Sequence, residues 1–143
     1  MIAHNKPTLG YQEQQAASRV IESGYIAQGR EVEGFEREFC DFMGLPDKHA
    51  VALSSGTSAL FMALWSLEAS GKKIGMPVYV CSSLRNAVAM SNAKEVLIDN
   101  AKDSPNICLK ELQKSNSEIA IIPHMFGLPN EIKNIKNFSP IHI

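Results

Sequence analysis

The sequence predicts an α/β fold, a mostly parallel sheet with helices on both faces, and three observations carry that reading. Short apolar stretches, "AVAL", "PVYV", "EVLID", "EIAIIP" and "PIHI", recur from His49 to the end of the chain. Stretches with helical spacing fall between them, the alternation that parallel strands require. The composition fits: 143 residues, 45% of them hydrophobic and 20% charged, make one ordinary globular domain with enough material for a core.

The elements follow in order. Tyr11 to Ser23 is rich in Gln, Glu and Ala, with Ala16, Ala17, Val20 and Ile21 at helical spacing and Gly24 placed to end the helix. After "YIAQGR", the residues Val32, Phe35, Phe39, Phe42 and Met43 recur three, four and seven apart, and Gly44 stops that second helix. "AVAL" then reads as a buried strand, Thr57 to Leu67 as a helix, "PVYV" as a strand, Leu84 to Asn92 as a helix and "EVLID" as a strand. Leu109 to Lys114 reads as a short helix, "EIAIIP" as a continuous buried strand, "EIKNIKNF" as a turn or two of helix, and "PIHI" as a last strand. Residues 1–46 form a helical N-terminal segment and 47–143 the α/β part in this reading, with no linker or repeat between them. The sequence ends at Ile143 within a predicted strand, and a parallel sheet continues such a strand into another helix, so the expectation is a truncated chain.

Charge and cysteine content exclude several classes. A net charge of −1, with Lys and Arg dispersed, offers no field for nucleic acid. Cys40, Cys81 and Cys108 match neither a disulfide framework nor a metal site, so reduced thiols in a cytoplasmic protein are expected and no metal ligands are assigned. "MIAHNKPTLG" lacks the pattern of a secretory signal, and no apolar segment has the length to cross a bilayer.

The chemistry concentrates at Ser54-Ser55-Gly56-Thr57-Ser58, the junction of a predicted strand with a predicted helix. A helix N-terminus at the carboxyl end of a strand presents free N–H groups and a partial positive charge, the setting of a phosphate site. Gly56 lets an anion approach the backbone, and Ser55, Thr57 and Ser58 add hydroxyls. The order matches neither a nucleotide P-loop nor a Gly-x-Ser-x-Gly elbow. The same residues also suit a plain role, in which Ser54 or Ser55 caps the helix and Gly56 eases the turn.

Several stretches in order, "KPTLG", "SGYIAQGREVEGFEREFCDFMG", "HAVALSSGTSALFMAL", "MPVYVCSSLRNAV", "AKEVLIDN" and "IIPHMFGLPNEI", resemble the N-terminal part of the DegT and StrS family of pyridoxal-phosphate-dependent sugar aminotransferases. The resemblance spans nearly the whole chain. It implies part of a fold type I large domain with a mixed sheet, a homodimer, and amino transfer to a keto sugar carried on a nucleotide; the sheet left without its remainder adds a complementary C-terminal half as the other partner expected. It places Ser55, Gly56 and Thr57 against the phosphate of pyridoxal 5'-phosphate. It also places Cys81 where the family has an aromatic residue stacked on the pyridine ring, with Tyr79 two residues earlier. A thiol offers a small polarisable surface there, and a buried structural thiol is the alternative.

No catalytic residue is assigned. Transamination needs a lysine for the cofactor and a carboxylate on its pyridine nitrogen. The resemblance puts both beyond Ile143, the carboxylate in a Glu-Asp-x-Ala-Gln motif directly after the last strand, so the chain alone is expected to be inactive and a noncatalytic binding or dimerisation module is the alternative. Lys72, Lys73 and Lys94 read as surface charges, Asp99 as a turn or cap residue, His124 as a hydrogen-bonded structural histidine, Trp65 as core, and Arg85 as an exposed side chain without a partner. Gln28 and Gly29 read either as an ordinary turn or, by resemblance, as part of the substrate entrance.

Overall fold

The computed structural model describes residues 6–131 and 141–142. The chain divides into two compact units, the first ending at Ala52 and the second starting at Leu53.

The first unit holds α1 (Tyr11–Ser23) and α2 (Arg30–Met43). The Glu13 carboxylate accepts the Gly10 N–H at 2.7 Å and so satisfies a donor at the start of α1. Gly24 (φ 70°) and Gly44 (φ 65°) end the two helices in the left-handed conformation that glycine adopts without penalty. Periodicity thus located both helices, but their apolar faces are largely open. In α2 Phe35 and Phe39 pack ring against ring at 6.2 Å, and Cys40 is the buried side chain.

The second unit is a parallel sheet of β1 (Lys73–Pro77), β2 (Lys94–Ile98), β3 (Ile119–Ala120) and β4 (Ile141–His142) in the order β2-β1-β3-β4. Its helices are α3 (Gly56–Ser66), α4 (Ser82–Met90) and α5 (Leu109–Lys114). Alternation along the strands sends side chains to two cores. Ile74 and Met76 of β1, with Ile119 and Ile121, pack on one face against Leu64 of α3 and Leu84, Ala87 and Val88 of α4. Ala120, Ile122 and Ile98 pack on the other face with Leu112 of α5 and with Ile107, which precedes that helix. Helices therefore cover both faces, as the alternating pattern predicts.

Three local expectations are corrected. "AVAL" enters no ladder among the described residues: Val51 is 75% exposed and the Ala52 N–H donates to Glu36 Oε1 at 2.7 Å. An apolar run becomes a strand only where a neighbouring strand accepts it. In "PVYV" only Pro77 belongs to a strand, and β1 begins instead at Lys73. Trp65 is 66% exposed rather than core, because α3 turns Leu64 inward and Trp65 to solvent. "EIKNIKNF" lies outside the described residues from position 132.

Gly75 explains why β1 is hard to place from the sequence. A glycine weakens a strand pattern, yet a Cβ at this position would come within 2.6 Å of Leu112 Cδ1 and 2.7 Å of Ser117 Oγ. The close approach of α5 to the sheet requires the missing side chain. Gly75→Ala is expected to destabilise the chain by about 1–3 kcal/mol through overpacking, read as a lower urea midpoint. An unchanged midpoint would show that Leu112 moves aside freely.

Candidate functional site

The topology directs two helix N-termini to one edge of the sheet. α4 begins just past the carboxyl end of β1, and α3 leads through Leu67–Lys72 into the amino end of β1, which turns the start of α3 to the same carboxyl edge. Ligands of open α/β sheets lie at that edge.

At the start of α3, Ser55 is the N-cap in extended backbone (φ −163°, ψ 159°), and its Oγ accepts the Ser58 N–H at 3.1 Å. Its hydroxyl also lies 3.0 Å from Ser58 Oγ, with Ser54 Oγ at 3.4 Å from the same atom. The first helical bond starts with the Ala59 N–H to the Ser55 carbonyl. Gly56 and Thr57 are left over: neither their N–H groups nor the Thr57 hydroxyl has a hydrogen-bond partner among the described residues. Among the described residues, nothing beyond the chain neighbours and the helix's own backbone lies within 4 Å of where a Gly56 Cβ would stand, which leaves room beside the helix start. The junction is thus a cap in Ser55 and an unused pair of donors in Gly56 and Thr57. Such donors at the positive end of a helix of 11 residues favour an anion. Ser54 and Ser58, outside the cofactor contacts that the resemblance implies, complete the hydroxyl cluster, and their spacing of four along the chain is the signal that marks them.

Cys81 is the N-cap of α4 and is exposed, which sets aside the buried-thiol alternative. Hydrogen bonds from the Ser83 hydroxyl and then from the Ser83 N–H hold its pKa below the ordinary thiol value, against a small opposing effect of burial. A depressed pKa enlarges the thiolate fraction at neutral pH. Cys81 is therefore expected to react with iodoacetamide faster than buried Cys40 or half-buried Cys108, and Ser83→Ala to slow it several-fold. Peptide mapping after brief labelling reads the order, and equal labelling of Cys81 and Cys108 would contradict it.

Neighbouring residues resolve as follows. Arg85 does have a partner: its guanidinium makes a two-point contact with Glu95 of β2, Nε–Oε2 2.8 Å and Nη2–Oε1 2.7 Å. That hydrogen bonding and charge lower the Glu95 pKa and raise that of Arg85. His124 is hydrogen-bonded as expected, Nδ1 accepting the Asn130 N–H at 2.9 Å. Lys73 and Lys94 begin strands and are exposed, and Lys72 donates to the Leu67 carbonyl at 2.8 Å. No group of three or more His, Cys, Asp or Glu among the described residues is placed to hold a metal ion. No helix among them is long and apolar enough to cross a membrane.

Comparison with solved structures returns the same architecture. Spr1654 of Streptococcus pneumoniae, provisionally described as a sugar aminotransferase, superposes in its PMP form with a TM-score of 0.88 at 20% identity, over 96% of this chain and 35% of that one. An E. coli GDP-4-keto-6-deoxy-D-mannose-3-dehydratase with bound hydrated PLP gives 0.84 at 20% identity, over 96% of this chain and 38% of that one. DesV of S. venezuelae, solved with a ketimine intermediate, gives 0.79 at 26% identity, over 87% of this chain and 34% of that one. The chain thus spans little more than a third of the length of these proteins. The DegT/DnrJ/EryC1/StrS aminotransferase family matches residues 7–142, nearly the whole sequence, and the chain belongs to that family.

Proposed function

We propose that this chain is the cofactor-phosphate-binding portion of a pyridoxal-phosphate-dependent aminotransferase of nucleotide-linked keto sugars. The observation that carries the reading is the pair of N–H groups at Gly56 and Thr57, at the start of α3, that have no partner among the described residues. In this reading residues 1–46 are the helical N-terminal segment and 47–143 the α/β part of the large domain. Ser55, Gly56 and Thr57 contact the cofactor phosphate, Gly56 and Thr57 through their N–H groups and Thr57 also through its hydroxyl, while Ser55 Oγ at the same time caps the helix start. Cys81 lies against the pyridine ring as a small polarisable surface. When bound, the cofactor supplies a carbonyl that takes up an amino group and a ring that withdraws electrons. The residues here orient and retain it, and no catalytic residue is assigned among them. The kinship with a dehydratase acting on a GDP-linked keto sugar supports the substrate class.

Equilibrium dialysis of the chain with pyridoxal 5'-phosphate, with pyridoxal as control, tests the reading. Binding that requires the phosphate supports it; equal binding of the two, or none of either, overturns it. A second reading, a noncatalytic module that dimerises or joins a complementary C-terminal half, is favoured by the large apolar side chains left in solvent, among them Val51, Trp65 and Met90. Sedimentation equilibrium separates a self-associating chain from a monomer.

A further inference from the structure

The amino edge of the sheet carries a feature that the proposed function does not use. α3 leads through residues 67–72 into the start of β1, and α4 leads through residues 91–93 into the start of β2, so both helices finish at this edge. The two ends are built alike. The Ala69 N–H donates to the Leu64 carbonyl at 3.0 Å and the Ala93 N–H to the Val88 carbonyl at 3.2 Å, with Glu68 (φ 52°) and Asn92 (φ 54°) in the left-handed turn just before them.

Asparagine tolerates that conformation, and Asn92 also uses its side chain, Nδ2 donating to Ser70 Oγ at 3.1 Å. Glu68 does neither. Glutamate is poorly suited to a left-handed position that glycine fills by default, and a carboxylate is repelled by the negative end of the helix it closes. The Glu68 carboxylate has no hydrogen bond or ion pair among the described residues, and Lys72, the nearest cation in sequence, donates to the Leu67 carbonyl instead. Strain of this kind, with no internal interaction that rewards it, directs attention to a function outside the fold.

Glu68 lines a cavity of about 460 Å³ at the ends of α3 and α4, together with Phe61, Trp65, Met90 and Asn92. Trp65 and Met90 are 66% and 61% exposed, so the core does not account for them. The volume is of the order that holds a small ligand or one long side chain. An indole, a second aromatic ring, a thioether and an unpaired carboxylate are complementary to a flat cation. A guanidinium stacks on tryptophan and takes a carboxylate in a two-point contact, which the point charge of an ammonium cannot do.

We propose that this cavity receives an arginine side chain of a partner protein, its guanidinium stacked on Trp65 and paired with Glu68. Met90 supplies an adaptable apolar surface for the partner's neighbouring residues. The inference is independent of the cofactor reading, because the phosphate junction lies at the opposite edge of the sheet.

Trp65 is the one tryptophan of the chain, so its fluorescence reports the cavity directly. The test titrates the chain with acetyl-Leu-Arg-Leu-amide and with the same peptide carrying citrulline, which keeps the shape of arginine without its charge. The arginine peptide is expected to shift the emission and to bind about tenfold more tightly or better. Glu68→Gly is expected to weaken that binding about ten- to a hundredfold while raising the urea midpoint, because glycine relieves the left-handed turn. Trp65→Leu, followed by calorimetry, is expected to weaken it about two- to fivefold. Equal binding of the two peptides, binding of neither, or parental affinity in Glu68→Gly overturns the proposal. Agmatine, a free guanidinium compound, binding as tightly as the arginine peptide would take the site away from a protein partner and overturn it too. Emission that changes with chain concentration alone would show a second copy covering the cavity, with the same result.

Discussion

A Gly56→Pro chain is expected to fold at least as stably as the parent and to bind pyridoxal 5'-phosphate roughly ten- to a hundredfold more weakly. Gly56 is the first helical residue of α3, the one position in a helix where proline fits, since the N–H it lacks has no helical acceptor there. Ser55 already has the extended backbone that a following proline demands, and among the described residues nothing beyond the chain neighbours and the helix's own backbone lies within 4 Å of the new side chain's first carbon. The restricted unfolded chain favours folding by about 0.4–1 kcal/mol. What disappears is one hydrogen-bond donor to a charged group, worth about 1.5–3 kcal/mol. Stability and affinity thus move in opposite directions, which general damage to the fold does not produce. Ser55→Ala completes the comparison by removing the cap that accepts the Ser58 N–H, at a cost of about 1 kcal/mol in folding. If Gly56→Pro leaves affinity within twofold of the parent, the junction is only a capped turn.

Leu64→Ala is expected to lower stability by about 2–5 kcal/mol, more than Gly75→Ala or Ser55→Ala. Leu64 has no exposed surface and joins α3 to Ile74 and Met76 of β1 and to Leu84, Ala87 and Val88 of α4. Deleting its isopropyl group leaves a cavity that a sheet and two helices cannot close together. Because α3 is anchored through this residue and carries the proposed phosphate donors at its start, ligand should restore part of the loss. At a hundred times its dissociation constant, pyridoxal 5'-phosphate adds about 2.7 kcal/mol to the folded state by mass action. Urea titrations with and without the ligand measure both quantities. A loss below about 1 kcal/mol would mean that the packing around Leu64 relaxes, and no recovery with ligand would separate the core from the site.

The capped helix start at Ser54–Ser58 is readable because its signal is local. Small residues at a strand-to-helix junction, in the order Ser-Ser-Gly-Thr-Ser, state their backbone chemistry without help from the rest of the chain. The exposure of Cys81 and its lowered pKa are less readable, since both arise only once α4 forms and puts Cys81 and Ser83 together at its start. The cavity lined by Trp65 and Met90 is not readable at all. The two residues lie far apart in sequence and share it only because α3 and α4 pack together on one face of the sheet.

The same distinction separates what each level decided. By itself the sequence determined the helices, through 3.6-residue periodicity and terminal glycines such as Gly24 and Gly44, and with them the α/β class. Those signals are short-range, so they survive without knowledge of neighbours. Only the tertiary structure decided that β1 starts at Lys73 and contains Gly75, that "AVAL" stays outside the ladders of the described residues, that Trp65 faces water and that Arg85 binds Glu95. A strand is a statement about the chain beside it, and a side chain's partner is whatever the fold carries within reach, so neither is written in the spacing of residues along one segment.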